Sequence, residues 1–333
     1  MKYLSLFSGI GGFELGIQQA YEETKNKGLV NTRGQVDTIS RRQETLNSTR
    51  MGDTHDVQPS YGSYESVPVC VGFSEIDKYA TQIYQKHFPN HKNYGDITQI
   101  NERELPDFDF LCGGFPCQSF SIAGKRGGFS DTRGTMFFEI ERILNEKKPR
   151  LLLLENVKGL LSHENGNTFK TIISTLDELG YDLQWQVLNS KNFGVPQNRE
   201  RVFIVGHLRG TSRPKVFPIG ESNGDNQEAN SKYPSISAPV TGQGQLNCRG
   251  VFIQQFGEFR ESQISPTLRT PSGGNRLPMV KEKTKIRRLT PIECERLQGF
   301  PDGWTASVSD SQRYKCLGNA VTVNVIKAIV DRL

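Results

Sequence analysis

A thiol, a carboxyl group and two guanidinium groups, set in short stretches dense in glycine and proline, are the groups in this chain best placed to do chemistry. The stretch from Asp109 to Arg133 reads DFLCGGFPCQSFSIAGKRGGFSDTR. A short apolar run (Phe110, Leu111) turns through Gly113 and Gly114 and delivers Pro116, Cys117 and Gln118, ahead of a Gly-, Ser- and Lys/Arg-rich segment. A thiol at the end of a buried strand, before a basic loop, suits a nucleophile beside a polyanion. Lys125, Arg126 and Arg133 could favour its thiolate or contact phosphate. An arbitrary cysteine is more often a small buried hydrophobe, but here Pro116 stiffens the approach and the glycines permit close contact. Further on, Glu155 closes the apolar run at 151–154, and Arg199 and Arg201 stand two apart in PQNRERVF (196–203).

Elements must hold these groups. The opening 3–7 is a strand candidate, followed by Ser8-Gly9-Ile10-Gly11-Gly12 and a helical pattern from 13 onward. Strand, glycine turn and helix often cradle nucleotide or nucleoside cofactors, because the backbone can approach and helix N–H groups point at the ligand. The spacing is not GxGxxG, so no dinucleotide is specified. A second strand, 68–73, ends in Ser74-Glu75-Ile76-Asp77, where a carboxylate suits a ribose or caps the next helix, 78–88. Further strands at 108–111, 150–154, 183–189 and 202–205 alternate with helices at 137–146 and 169–179. That alternation predicts an α/β fold with a doubly wound, mostly parallel sheet. Catalytic groups in such sheets sit at the carboxyl ends of strands, where Cys117 and Glu155 fall.

Two segments break the pattern. Residues 22–67 are rich in Asn, Thr, Gln, Ser and Arg without apolar periodicity, and read as an inserted, flexible loop. From 209 to about 285 glycine, proline, serine and asparagine dominate, with β-like pieces at 251–255 and 277–280, which predicts a second, smaller, irregular β-rich domain. A helix is expected over 287–297, a turn over 314–319 and an amphipathic helix over 321–332. The domains expected are 1–208 plus 313–333, and 209–312.

Composition narrows the class. The chain has 333 residues, 35% hydrophobic, with 33 Gly, and its mean hydropathy is −0.53: a soluble, loop-rich protein is expected. No apolar run approaches the ~20 residues a membrane helix needs, and the N-terminus reads as a first strand rather than a signal peptide. Six cysteines (70, 112, 117, 248, 294, 316) form no CxxC pair and no zinc spacing, which suits a reducing cytoplasm and no metal. A net charge of +5 permits nucleic-acid binding without specifying it.

Together the motifs closely resemble those of the cytosine-C5 DNA methyltransferase family of the bacterial restriction–modification kind. The blocks are FSGIGGF (7–13), SEIDKYA (74–80), GDIT (95–98), GGFPCQSFS (113–121), DTRGTMFF (131–138), ENV (155–157), PQNRERVF (196–203), RRLTPIECERLQGFP (287–301) and LGNAV (317–321), in the family's usual order. Each is a soft motif; nine in sequence make chance very improbable.

The resemblance implies the chemistry. Cytosine C5 is a poor nucleophile until a thiolate adds at C6, and the cysteine of PCQ, here Cys117, has that part. It gives Glu155 the proton at N3, gives Arg201 the grip on the base's O2, and makes Arg199 a support or a phosphate contact. The methyl donor implied is S-adenosylmethionine. Phe7, Gly9 and Gly12 would line its site, Glu75 would bind the ribose, and Asp96 would lie near the adenine amino group. Ile97, Pro116, Asn319 and Val321 match other pocket positions. Two departures stand out: Ser5 where many members carry Asp, and Ile76 where some carry Trp; either could weaken cofactor affinity.

The implied partner is double-stranded DNA, whose target base must be flipped out, with Gln118, Ser121, Lys125, Arg126 and Arg133 on the loop expected to close over it. Sequence choice is expected in the second domain. There Thr267 and Leu268 resemble the Thr-Leu region of the family's recognition domains, and Arg260, Arg269 and Arg276 could read guanines or hold phosphate. A cognate restriction endonuclease, without a stable complex, and a monomeric state are also expected. A tRNA methylase of the same fold and a non-catalytic DNA-binding regulator are the alternatives. A nicotinamide oxidoreductase fails on the first glycine turn.

Overall fold

The structure, a computed structural model, describes residues 1–26, 67–116, 136–219, 251–255, 258–262, 264–268, 278–282 and 285–333. Cys117, Gln118, Ser121, Lys125, Arg126, Arg133, Arg269 and Arg276 lie outside the described residues, as does most of the expected insertion.

Strands β1 (Lys2–Leu6), β2 (Val69–Ser74), β3 (Phe110–Gly114), β4 (Leu151–Val157), β5 (Tyr181–Asn189) and β7 (Glu200–Leu208) form one sheet in the order β2-β1-β3-β4-β7-β5. The first four are mutually parallel, and β7 runs antiparallel to both its neighbours. β1, β3 and β4 are buried on both faces, so they read as apolar runs rather than as alternations. Their side chains still divide with the period of two that a pleated strand imposes. Leu4, Leu6, Leu111, Leu152 and Leu154 pack with Phe137, Ile140, Ile143 and Leu144 of α3 (Met136–Lys147) and Ile172 and Leu176 of α4 (Asn167–Glu178). Tyr3, Phe110, Leu151 and Leu153 face Phe13 and Ile17 of α1 (12–26) and Val325, Ile326 and Ile329 of α7 (Val323–Val330). Helices thus cover both faces of a mostly parallel sheet, which is the doubly wound α/β fold.

A third cluster joins Ile10 of the glycine turn, Leu15 of α1, and Ala80 and Ile83 of α2 (Lys78–His87) to Leu268, Val280, Leu289, Cys294 and Leu297, then to Phe300, Trp304, Cys316 and Leu317. Cys294 and Leu297 belong to α5 (Pro291–Gln298), Cys316 and Leu317 to α6 (Asp310–Asn319). A smaller antiparallel sheet has the order β12-β11-β8-β9, from β8 (Val251–Gln255), β9 (Glu258–Ser262), β11 (Met279–Glu282) and β12 (Lys285–Arg288). A two-residue strand β6 (Gln197–Asn198) pairs in parallel with β10 (Ser265–Pro266).

Three elements differ from the sequence expectation, the first being α1, which continues through 26 into the start of the insertion expected over 22–67. The helix expected over 287–297 begins at Pro291, because Arg287 and Arg288 are ladder partners of Val280 and Met279 in the small sheet. Thr290 then caps it through a capping box with Glu293, and Gly299 ends it at φ 78°. The turn expected over 314–319 is the last part of helix α6, which starts at Asp310.

Candidate active site at the carboxyl edge of the sheet

Register brings the chemistry to one edge. In parallel strands the carboxyl ends lie side by side, so Leu6 aligns with Ser74 and with Gly113, and Gly114 aligns with Glu155. β7 runs the other way, so its first residues arrive at that same edge, with Arg201 opposite Val157 and Phe203 opposite Glu155. Arg201 and Glu155 are therefore diagonal neighbours on one face, within reach of long side chains. Arg201 Nε lies 3.0 Å from Glu155 Oε1, with only 16% and 12% of the two side chains exposed. Gly114 makes room for the carboxyl: a Cβ there would stand 2.9 Å from Glu155 Oε2. Burial raises the Glu155 carboxyl above its ordinary range, outweighing the pull of Arg201 and Arg199 in the other direction. A carboxyl that holds its proton more tightly than usual, beside a guanidinium, can hand a hydrogen bond to a heterocycle nitrogen.

Arg199 is a different kind of residue. It is 2% exposed, and its guanidinium donates to the carbonyls of Leu268 (3.2 Å), Gly318 (3.3 Å) and Ala320 (2.7 Å). Burial lowers it to about 9. Enclosed in this way, it ties the chain just ahead of β7 to the Leu268 segment and to the end of α6, and it reaches no surface where a phosphate could lie. Leu268 is likewise corrected. It is 2% exposed within the third core cluster, its N–H held by Gln197 Oε1 at 2.9 Å, so its side chain is unavailable to DNA; an aliphatic side chain there is worth more in the core than on a polar surface. Thr267 is part-exposed, and its hydroxyl donates to Asn198 O at 2.7 Å. Arg260 lies in β9, opposite Ile253.

Beside this pair is a cradle. Phe7 (φ 53°) and Gly9 (φ 56°) turn the chain through left-handed backbone at the end of β1, costly for a phenylalanine and characteristic of a functional turn. Glu75 accepts from the backbone N–H of Gly9 (2.8 Å), Ile76 (2.9 Å) and Asp77 (2.7 Å), so its carboxylate is fixed in place. The cap of α2 is Asp77, which accepts from Tyr79 and Ala80 N–H. Asp96 caps a short 3-10 turn (Ile97–Gln99) through Thr98 N–H at 2.9 Å. Pro116 and Asn319 are exposed, and Ile76 is 75% exposed.

Gly12 admits Val321, whose Cγ1 would lie 2.7 Å from a Cβ on that glycine. Ile97 is corrected as a lining side chain: it is 2% exposed and belongs to the core beside Leu4 and Leu6. Ser5 is wholly buried, accepts from Ser8 Oγ at 2.8 Å and faces Glu14, so this departure concerns the seating of α1 on β1. A nucleoside cofactor fits the cradle on two observations. Among the described residues no atom beyond the chain neighbours lies within 4 Å of where a Cβ would sit on Gly9 or Gly95, and a carboxylate adjoins each glycine, Glu75 through its bond from Gly9 N–H and Asp96 as the next residue after Gly95.

Sequence reasoning missed two supports. Asn156, 2% exposed, donates from Nδ2 to Phe115 O at 2.9 Å, which holds the chain just ahead of Pro116. Asn93 accepts from Glu75 N–H (3.3 Å) and Gly95 N–H (2.9 Å) and donates to Glu75 O (3.1 Å), coupling the two halves of the cradle. An asparagine beside a strand end, where backbone groups lack ladder partners, was the available signal. Among the described residues no group of His, Cys, Asp and Glu could hold a metal ion, and no helix is long and apolar enough to cross a membrane.

The fold and this edge define a class, the α/β methyltransferases. The solved structure of S. pombe Dnmt2 methyltransferase superposes over 99% of this chain and 97% of its own, with a TM-score of 0.67 at 18% identity. The chain belongs to the C-5 cytosine-specific DNA methylase family, whose profile matches residues 1–237 and 221–333; its enzyme class is DNA (cytosine-5-)-methyltransferase. The type II methyltransferase M.NlaX of Neisseria lactamica is 37% identical over all of this chain and 96% of its own length. M1.ScrFI of Lactococcus lactis subsp. cremoris is 41% identical over 78% of this chain and 70% of its own.

Proposed function

We propose that the protein methylates C5 of a flipped-out cytosine in double-stranded DNA, at a specific sequence, through a covalent adduct of Cys117. The observation that carries this reading is the Glu155–Arg201 pair, 3.0 Å apart, at the strand edge from which β3 leads to Pro116 and Cys117. In this reading the Cys117 thiolate forms the bond to C6, and the electron pair displaced from the C5–C6 double bond moves into the ring. Glu155 keeps its proton at N3, where that charge gathers, and Arg201 holds O2. S-adenosylmethionine, when bound, would supply the electrophilic methyl group that C5 takes up; loss of the C5 proton then restores the C5–C6 double bond and releases the Cys117 thiolate. Glu75 would hold its ribose and Asp96 its adenine amino group, with Phe7, Gly9, Gly12, Ile76, Pro116, Asn319 and Val321 shaping the walls. Arg199 acts through the backbone it holds.

The second domain, with its small sheet and the Thr267 segment, is assigned the reading of the target sequence, and host-DNA protection alongside a cognate endonuclease in the cytoplasm is the assigned setting. Bisulfite sequencing of an unmethylated plasmid, incubated with the protein and S-adenosylmethionine, tests the reading. Protected cytosines in one short recurrent context are expected. Absence of protection by a folded, cofactor-binding protein would overturn DNA as substrate and direct the assay to tRNA.

A further inference from the structure

Two glutamines meet in the interior where β6, α5 and the end of α6 converge. Gln197 and Gln298 are both wholly buried. Gln298 Nε2 donates to the carbonyls of Leu317 (2.8 Å) and Ala320 (3.2 Å), which bracket Asn319. Its Oε1 accepts from Thr322 Oγ1 (2.8 Å) and from Gln197 Nε2 (3.3 Å). Gln197 Nε2 also donates to Leu297 O (2.8 Å), while its Oε1 accepts the Leu268 N–H (2.9 Å). Thr322 Oγ1 continues the chain of bonds to Ser190 Oγ at 2.8 Å.

Both amides have both N–H donors engaged, and each oxygen accepts, Gln298 Oε1 twice and Gln197 Oε1 once. A buried amide gains little net stability over an apolar side chain of the same shape, since its hydrogen bonds mainly repay its desolvation. What it adds is direction: the bonds are satisfied at one relative placement of the groups they join, and a satisfied polar network specifies a unique arrangement. Here the groups joined are the backbone of Leu268, next to Thr267, and the backbone on either side of Asn319. Leu297, the neighbour of Gln298, does the ordinary work of packing α5 into the third cluster.

We propose that Gln298 is a positioning residue that fixes the C-terminal end of α6 (317–320) against Gln197 and Leu268, so that the rim of the cofactor pocket and the Thr-Leu segment share one buried joint. This rests on the reading above that Asn319 and Val321 border the cofactor. It extends that reading by making cofactor affinity depend on groups that touch no cofactor.

The test uses Gln298→Met, Gln197→Met, their double variant and Thr322→Val in the full chain. Calorimetric titration with S-adenosylhomocysteine gives Kd, and turnover on unmethylated plasmid gives KM and kcat for S-adenosylmethionine. Gln298→Met is expected to raise Kd and KM about tenfold, with kcat at saturating cofactor within about threefold of the parent, a split that general loosening of the fold would not give. Gln197→Met is expected to raise Kd as well, and the double variant to fall short of the product of the two effects. Thr322→Val keeps its shape and removes one bond to Gln298, so a smaller rise is expected even if Gln298→Met does not fold. Folded variants with Kd within about twofold of the parent would overturn the inference while leaving the proposed function intact. A folded parent that binds no S-adenosylhomocysteine would overturn both.

Discussion

Glu14 lies in the first turn of α1, 1% exposed, and among the described residues neither of its carboxyl oxygens has a hydrogen-bond partner. Tyr3 and Ser5 face it from β1, Cys70 from β2, Cys112 from β3 and Tyr84 from α2. His91 stands behind, 3.0 Å from the Tyr84 hydroxyl. None of these is a cation that could neutralise a carboxylate, since burial lowers His91 from its ordinary value. Burial therefore pushes Glu14 from 4.5 up to about 7, only partly offset by the Ser5 and Tyr84 hydroxyls.

The folded value lies above the unfolded one, so between them the unfolded chain has lost a proton that the folded chain retains. Stability contributed here is whole below the unfolded value, falls as pH rises and levels off above the folded value. Each pH unit of that window is worth about 1.4 kcal/mol, which makes the full loss about 3 kcal/mol. Glu14→Gln removes the titration. Urea melts of parent and variant at intervals from pH 4.5 to 8.5 measure the difference directly. Other groups, His91 among them, contribute to both proteins and largely cancel. The stability of the variant relative to the parent is expected to rise by about 3 kcal/mol across the window, whatever constant the amide itself adds or removes. A difference that stays flat with pH would refute the reasoning, whatever its size.

Gly114→Ala places a methyl 2.9 Å from Glu155 Oε2; displacing that carboxyl is expected to cut kcat about tenfold or more with little change in Tm, and an unchanged kcat would remove Glu155 from its assigned position. Arg199→Lys keeps a charge but cannot serve the Leu268, Gly318 and Ala320 carbonyls together. A loss of about 3 kcal/mol in denaturant melts is expected, and full stability would contradict its role as a tie. Cys117→Ala is expected to abolish methyl transfer while leaving S-adenosylhomocysteine affinity within a small factor; appreciable turnover would rule out Cys117 as the nucleophile.

Much of the sheet was legible because its central strands are apolar runs closed by glycine or an acidic residue, as at Leu151–Val157. Direction was not legible: nothing in the sequence of Glu200–Leu208 states that β7 runs antiparallel, yet that reversal is what carries Arg201 to Glu155. Composition also misleads where a polar residue is enclosed. Arg199 and Arg201 stand two apart in one motif, and only the tertiary fold assigns one to backbone carbonyls and the other to a carboxyl. Leu268, likewise, sits in a segment that reads as surface and packs as core. The start of α5 was misplaced because Arg287 and Arg288 favour a helix locally while Met279 and Val280 offer them a ladder.

The close fit of Gly12 against Val321, and of α1 against α7 through Gly16 and Ile326, has a consequence for how the protein is made. A ribosome delivers the β1 turn about three hundred residues ahead of α7, the helix that covers it. Until 321–330 has been made, Phe13 and Ile17 have their sheet partners Tyr3, Phe110, Leu151 and Leu153 but lack Val321, Val325, Ile326 and Ile329. A nascent chain can therefore assemble the parallel strands while the face that Phe13 and Ile17 present to α7 stays open, and that face closes only after Val323–Val330 has been made.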